Sequence, residues 1–165
     1  MRYASIRNFD ISNGTGCGVA LFVQGCHFHC TNCFNQSTWD FSGGKESTVK
    51  VKNQLYSLLE NPHITRLSVL GGEPLAKENI ETVKSIIKDW AGKKEIWVYT
   101  GYTYEVLSDK ELLEYIDILV DGQYEDEHRD LNLAFRGSSN QRVIDVKRSL
   151  AENKVVTITY VLAPS

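Results

Sequence analysis

Apolar and polar positions along the chain fall into blocks that predict strands and helices in alternation. Short apolar runs closed by turn residues are typical of buried strands, whereas apolar residues three and four apart indicate helices with one buried face. The runs predict strands at 17–24, 66–70, 95–100, 117–120 and 155–162, the last being richest in β-branched residues. The stripes predict helices at 47–60, capped by Ser47 or Thr48, at 77–90 and at 109–115, while 141–153 fits a short strand followed by a helix.

This alternation is the pattern of parallel βαβ units, so the sequence predicts an α/β fold with a mainly parallel sheet and right-handed crossovers. In such folds chemistry collects at the carboxyl ends of the strands. Four short segments directly follow predicted strands and should meet at that rim: Gly25-Cys26, Gly71-Gly72-Glu73, Thr100-Gly101 and Asp121-Gly122.

The composition fits one globular domain spanning 1–165. The chain has 165 residues, of which 24% are charged and 42% hydrophobic, and this suits a single core. A net charge of -3 without a run of Lys or Arg gives no reason to expect nucleic acid as a partner. No apolar stretch approaches the ~20 residues of a membrane-spanning helix and the N-terminus lacks the apolar core of a secretion signal, so we expect neither a membrane protein nor a secreted one.

The four cysteines are concentrated near the N-terminus, at Cys17, Cys26, Cys30 and Cys33. A disulfide framework would spread its bridges over a small secreted domain, so we expect reduced thiols in a cytoplasmic protein. The last three fall in the polar, turn-rich segment 25–44, which predicts a loop with at most one short helical turn. Clustered thiols in the cytoplasm indicate a metal site or catalysis.

The spacing Cys26-x3-Cys30-x2-Cys33 allows three thiolates to surround one soft-metal centre. A structural zinc ion needs four ligands, of which the fourth would be His27, His29 or Cys17. A four-iron cluster held by three thiolates would instead leave one iron open to a substrate. The spacing alone leaves both centres open.

Two of these segments carry a resemblance to a known family. Cys26-x3-Cys30-x2-Cys33 resembles the cluster-binding signature of the radical S-adenosylmethionine (SAM) enzymes, and Gly71-Gly72-Glu73-Pro74 resembles their methionine-binding turn. Over residues 3 to about 146 the chain resembles, more narrowly, the activating proteins of anaerobic ribonucleoside-triphosphate reductases. The segments that carry this narrower resemblance are Asn13-Gly14-Thr15-Gly16, Gln24-Gly25-Cys26, Cys33-Phe34-Asn35, Ser37-Thr38-Trp39, 97–102, 119–122 and 136–141.

The resemblance implies a [4Fe-4S] cluster with three irons held by Cys26, Cys30 and Cys33, and SAM bound to the fourth iron through its amino and carboxylate groups. It further implies which residues lie along SAM: Asn32, Cys33 and Phe34 beside the cluster, Gly71, Gly72 and Glu73 at the methionine end, and Asp121 as a nearby acidic residue. Arg136 could pair with the methionine carboxylate or with the partner protein.

The activity that the resemblance implies is reductive cleavage of SAM to a 5′-deoxyadenosyl radical, which takes a hydrogen atom from a glycine of the anaerobic reductase. The reductase is then the protein substrate, and a donor such as flavodoxin supplies the electron in an anoxic cytoplasm. The implied fold is a radical-SAM-type barrel. Six βα units need ~180 residues, so 165 residues predict a partial barrel that is open on one side.

Two other functions stay open from the sequence. The chain could activate another glycyl-radical enzyme such as pyruvate formate-lyase, or it could be a zinc-stabilised binding module without catalysis. It also departs from the family pattern at two positions: Gly18 stands where many relatives have an arginine, and Gln123 stands where related enzymes have the lysine of an Asp-x-Lys pattern.

Overall fold

The computed structural model describes residues 1–31, 33 and 36–160. Within them the strands are β1 (Arg2–Asp10), β2 (Gly18–Val23), β3 (Lys45–Glu46), β4 (Arg66–Gly71), β5 (Glu95–Tyr99), β6 (Ile118–Asp121) and β7 (Arg142–Asp145). The α-helices are α1 (Val49–Leu59), α2 (Ile80–Trp90), α3 (Lys110–Glu114) and α4 (Val146–Glu152). In this described part, no helix combines the length and the apolar character that crossing a membrane requires.

The strands form one open sheet in the order β3-β1-β2-β4-β5-β6-β7. The central strands β2, β4, β5 and β6 are parallel to one another. The outer strands β1, β3 and β7 pair antiparallel with their neighbours. The predicted α/β class is therefore confirmed, but the sheet is mixed rather than mainly parallel. The difference arises at the edges, where β1 and β7 pair with the strands next to them in sequence without a crossover helix between.

The helices cover one face of the sheet. Side chains from all four helices share one apolar cluster with β2, β4, β5 and β6, including Leu55, Ile87, Leu112, Val146, Leu21, Val69, Val98 and Leu119. On the opposite face, Phe22, Leu70, Tyr99 and Val120 line a cavity instead. Because alternate residues of a strand point to opposite faces, the same four strands supply both the core and the wall of that cavity.

The predicted central elements are observed, with shifted ends. Helix α1 is capped by Thr48, whose hydroxyl accepts a hydrogen bond from the Val51 N–H at 3.3 Å. Helix α2 begins at Ile80 rather than at residue 77. The delay has a local cause, because the Asn79 side chain donates to the carbonyls of Gln24 (3.2 Å) and Glu73 (3.0 Å) and ties the preceding turn to the sheet.

The two ends of the chain were predicted least well. Strand β1, which has many exposed polar positions, carries no clear apolar run and was not predicted. The strand predicted at 155–162 is wrong over 155–160, where Thr157 makes one isolated bridge to Ile144, and 161–162 lie outside the described residues. Segment 155–160 lies beside the edge strand β7 and is joined to it by two hydrogen bonds of 2.8 Å. The Asp145 N–H donates to the Val156 carbonyl, and the Ile158 N–H donates to the Val143 carbonyl.

Candidate functional site

A cavity of about 600 Å³ opens along the face of the sheet opposite the helices and along the carboxyl ends of the parallel strands. This volume lies within the ~300–1,000 Å³ typical of small-molecule sites. Its wall brings together most of the predicted site residues, namely Cys26, Cys30, Cys33, Gly71, Gly72 and Glu73, and it also includes Thr100, Gly101, Gly122, Gln123, Tyr124 and Arg136.

The cysteine loop starts where β2 ends. Gly25 has φ +101°, a conformation that glycine adopts without strain. Its N–H donates to the Thr38 carbonyl at 2.6 Å, and the Cys26 N–H donates to the Trp39 carbonyl at 3.0 Å. The two ends of the loop are thereby held together, so the intervening thiols stay near the strand ends.

Cys26, Cys30 and Cys33 form no disulfide, are half-buried and line the same cavity. Burial raises the pKa of Cys26, and the nearby negative charges of Glu73 and Cys33 add to the rise. Burial likewise raises the pKa of Cys30, followed by the charges of Cys33 and Cys26. A cationic centre bound at this cavity would stabilise the three cysteines as thiolates. The donor set therefore fits an iron–sulfur cluster.

The glycine turn after β4 packs directly on the cysteine loop. The Gly72 N–H donates to the Val23 carbonyl at 2.9 Å, and the Glu73 N–H donates to the Gly25 carbonyl at 2.6 Å. A Cβ atom at position 72 would lie 2.3 Å from the Gly25 oxygen. The resemblance implies that Gly71 and Gly72 lie along SAM. The structure adds a requirement within the chain, because only glycine lets the two backbones approach so closely.

Glu73 is a deeply buried acidic group in the wall of the cavity, with 1% of its surface exposed. Its carboxylate accepts hydrogen bonds from the Thr100 hydroxyl (2.7 Å), the Gly101 N–H (2.7 Å) and the Leu75 N–H (2.8 Å). Burial raises the pKa of Glu73 to about 7, and these three donors oppose the rise. The carboxylate is thus oriented by neutral donors and would gain from a cationic ligand.

Asp121 is placed differently from the other predicted residues. It is buried, and its carboxylate accepts from Arg142 Nε (3.0 Å) and Nη2 (2.6 Å) and from the Tyr104 N–H (2.8 Å). The cavity wall includes its neighbours Val120 and Gly122, whereas the Asp121 side chain is directed at Arg142. Asn32 and Phe34, also expected along SAM, lie outside the described residues.

The histidines of the cysteine loop are engaged rather than simply solvated. His27 Nε2 lies 3.0 Å from a carboxylate oxygen of Glu78, and the His27 ring packs on Phe41. The His29 ring stacks on Trp39 with 4.7 Å between centroids. The two ring contacts join the two ends of the loop to each other, and the contact with Glu78 ties the loop to the segment before α2.

The sequence predicts Thr100-Gly101 at the rim but gives it no role, names Gln123 only as a departure from the family pattern, and does not single out Tyr124. Thr100 and Gly101 hold Glu73, and Gln123 and Tyr124 reach the Cys30 sulfur. The available signal was position, since Thr100-Gly101 and the residues after Asp121 directly follow strands whose ends meet at the rim. Which side chain would turn toward a thiol could not be read from that position.

Comparison with known proteins agrees with this geometry. Residues 12–144 match the family model described as a 4Fe-4S single cluster domain, so the chain belongs to the proteins that carry one such domain.

Among named relatives, the anaerobic ribonucleoside-triphosphate reductase-activating protein of Enterobacteria phage T4 is 38% identical over 147 residues, covering 87% of this chain and 93% of the relative. The protein of that name from Vibrio cholerae is 39% identical over 148 residues (86% and 96%), and that of Escherichia coli K12 is 35% identical over 150 (87% and 97%). The chain belongs to this family of activating proteins.

Proposed function

We propose that this protein is a radical SAM enzyme that activates an anaerobic ribonucleoside-triphosphate reductase by generating a glycyl radical on it. The observation that carries the proposal is the meeting of three half-buried cysteine side chains and the buried Glu73 carboxylate at one cavity. The name of the relatives supports the reductase as the partner. The three cysteines support a bound cluster, and the buried Glu73 carboxylate supports a ligand with a cationic group.

In this proposal Cys26, Cys30 and Cys33 hold three irons of a [4Fe-4S] cluster and leave the fourth iron to SAM. When both cofactors are bound, the reduced cluster would supply one electron to the sulfonium of SAM, giving methionine and a 5′-deoxyadenosyl radical that would remove a hydrogen atom from a glycine of the reductase. The proposal places the protein in the cytoplasm and takes the electron from a donor such as flavodoxin.

The residues assigned to SAM follow the expected set: Asn32, Cys33, Phe34, Gly71, Gly72, Glu73 and Asp121. Glu73 faces the methionine ammonium group, whose charge would offset the burial that raises the Glu73 pKa. Gly71 and Gly72 keep the backbone near that group. Asp121 acts on SAM indirectly, because its carboxylate accepts hydrogen bonds from Arg142 and from the Tyr104 N–H and so fixes these groups beside the cavity.

The fold suits a protein as substrate. The described strands form an open sheet, with helices on one face and the cavity on the other. A partial, open radical-SAM-type barrel would leave this face for the glycine-bearing segment of the reductase, which itself would exclude water from the radical.

The test is metal content and SAM cleavage of the anaerobically reconstituted protein. We expect ~4 iron per chain, as the three-thiolate cluster requires, and reductant-dependent release of 5′-deoxyadenosine. Cys26→Ala, Cys30→Ala and Cys33→Ala should each abolish this release. Cys17→Ala is the matched control and should retain it, because Cys17 packs against the core instead of lining the cavity.

Two results would contradict the proposal. One zinc ion per chain in a colourless protein would support the zinc-stabilised binding module. Undiminished 5′-deoxyadenosine release from any of the three cavity variants would refute the ligand role of that cysteine.

A further inference from the structure

The segment that follows β6 lies against the sulfur of Cys30. Cys30 Sγ and Gln123 Oε1 are 3.9 Å apart, with the thiol donating to the amide oxygen. Burial raises the pKa of Cys30, and a hydrogen bond from the Tyr124 backbone N–H to the sulfur opposes that rise. One cavity cysteine therefore has two polar contacts with a segment more than 90 residues away in the chain.

This segment is itself held in place by the loop 136–141. Asn140 Nδ2 donates to the Gln123 carbonyl at 2.8 Å, and Gln141 Nε2 donates to the Gly122 carbonyl at 3.0 Å. Gln141 Oε1 in turn accepts from the backbone N–H groups of Gly137 (2.9 Å) and Ser138 (3.2 Å). The side-chain amides of Asn140 and Gln141 thus fix the backbone of Gly122 and Gln123, and with it the position of the Gln123 side chain relative to the cysteine loop.

We propose that Gln123 and the Tyr124 N–H raise the reduction potential of the iron–sulfur cluster by hydrogen bonding to Cys30, and that Asn140 and Gln141 are the positioning residues for both donors. The inference rests on the proposed function in one respect, the assignment of Cys30 as a cluster ligand. It concerns the electron affinity of the cluster and does not require SAM or the reductase.

The effect of these two donors on the cluster is electrostatic. A cysteine sulfur bound to iron carries no proton, so it can only accept hydrogen bonds. Rotation of the Gln123 side-chain amide by 180° about its terminal C–C bond exchanges Oε1 for Nε2, which can then donate a hydrogen bond to the sulfur. A donor at a ligand sulfur stabilises the extra negative charge of the reduced cluster, and hydrogen bonds to the sulfurs are among the factors that set cluster potentials. A neutral donor has a smaller effect than a charged one at the same place.

The test is the midpoint potential of the reconstituted full-length protein without SAM, measured by spectroelectrochemical titration against dithionite. Gln123→Leu removes the donor at similar size, and we expect the equilibrium constant for reduction to fall about threefold to tenfold, where tenfold equals 59 mV for one electron. Asn140→Ala should also lower the midpoint potential, because Gln123 is then less firmly positioned. Gln123→Lys adds a charged donor and should raise the midpoint potential.

Gln54→Leu on the exposed side of α1 and Asn132→Ala on the exposed surface are the matched controls and should keep the wild-type potential. The opposite signs expected for Gln123→Leu and Gln123→Lys separate tuning from local disruption, which would move both variants alike. An unchanged potential in Gln123→Leu, or a fall in Gln123→Lys, would overturn the inference and leave the proposed function intact. A wild-type protein without a four-iron cluster would overturn both.

Discussion

At the scale of single residues, Glu73 shows how one buried carboxyl group is prepared for a ligand. Three donors fix its two oxygens, while burial raises its pKa from 4.5 to about 7. Between these values the folded protein keeps a proton that the unfolded chain has lost, so the free energy of unfolding falls as pH rises, by at most ~1.4 kcal/mol per pH unit.

This linkage predicts that Glu73 makes its own contribution to the pH dependence of the free energy of unfolding. In urea unfolding of the metal-free protein from pH 4.5 to 7, Glu73→Gln should lose the part of the downward slope that Glu73 contributes, since its side chain cannot ionise. The exposed Glu81→Gln is the control and should keep the wild-type slope. Equal slopes for Glu73→Gln and the wild type would show that Glu73 ionises in the folded protein as it does in the unfolded chain.

Gly72 is the second residue whose identity the structure explains. A Cβ atom there would lie 2.3 Å from the Gly25 oxygen, so one of the two backbones must shift. We expect Gly72→Ala to lower the free energy of unfolding by about 1–3 kcal/mol, as overpacking does, and to lower iron retention because the cysteine loop moves.

Gly92→Ala is the comparison for this prediction. Gly92 has φ +79° with open space around it, so alanine there should cost only the backbone strain, about 1 kcal/mol. It should leave iron binding unchanged. Full iron content in Gly72→Ala would contradict the packing argument.

At the scale of elements, Arg66 ties strand β4 to the loop 11–17 on the cavity side. Its guanidinium donates to the carbonyls of Asn13 (3.1 Å) and Thr15 (3.0 Å) and pairs with Asp10 at 3.1 Å, with both side chains fully buried. A Cβ atom at Gly18 would lie 2.7 Å from the Arg66 guanidinium carbon. The glycine at 18 is therefore explained, because Arg66 fills the space beside it.

Arg66→Met should destabilise the protein by ~3–5 kcal/mol, because Asp10 then stays buried without its main cation. Chemical denaturation measures this loss, and Asp10→Asn in the same background should recover part of it. The control is Arg148→Met, which breaks the exposed pair with Glu152 and should cost less than ~1 kcal/mol. Similar losses in the two arginine variants would contradict the account.

The elements also show what the sequence could predict. Strands β2, β4, β5 and β6 are buried on both faces, so their apolar runs are continuous and their existence was predictable. Strand β1 has many exposed positions and gives no such signal, whereas 155–160 is β-branched yet gains only an isolated bridge at the edge. The meeting of cysteines and glycine turn followed from strand order, but the pairing of Asp121 with Arg142 depends on a side-chain choice that no pattern encodes.

At the scale of the whole molecule, the two faces of the sheet have different roles. Helices cover one face with the main apolar core, and the other face and the strand ends carry the cavity with its thiols and Glu73. This arrangement is the structural basis for proposing that a protein, rather than a small molecule, receives the radical.

The most direct measurement of that claim is electron paramagnetic resonance on an anaerobic mixture of this protein, SAM, a reductant and the anaerobic ribonucleoside-triphosphate reductase. We expect a glycyl-radical signal on the reductase that requires SAM and disappears with Cys30→Ala. Pyruvate formate-lyase in place of the reductase should give none. A signal on pyruvate formate-lyase alone would assign the protein to another partner, and no radical on any partner despite an intact four-iron cluster would contradict the account.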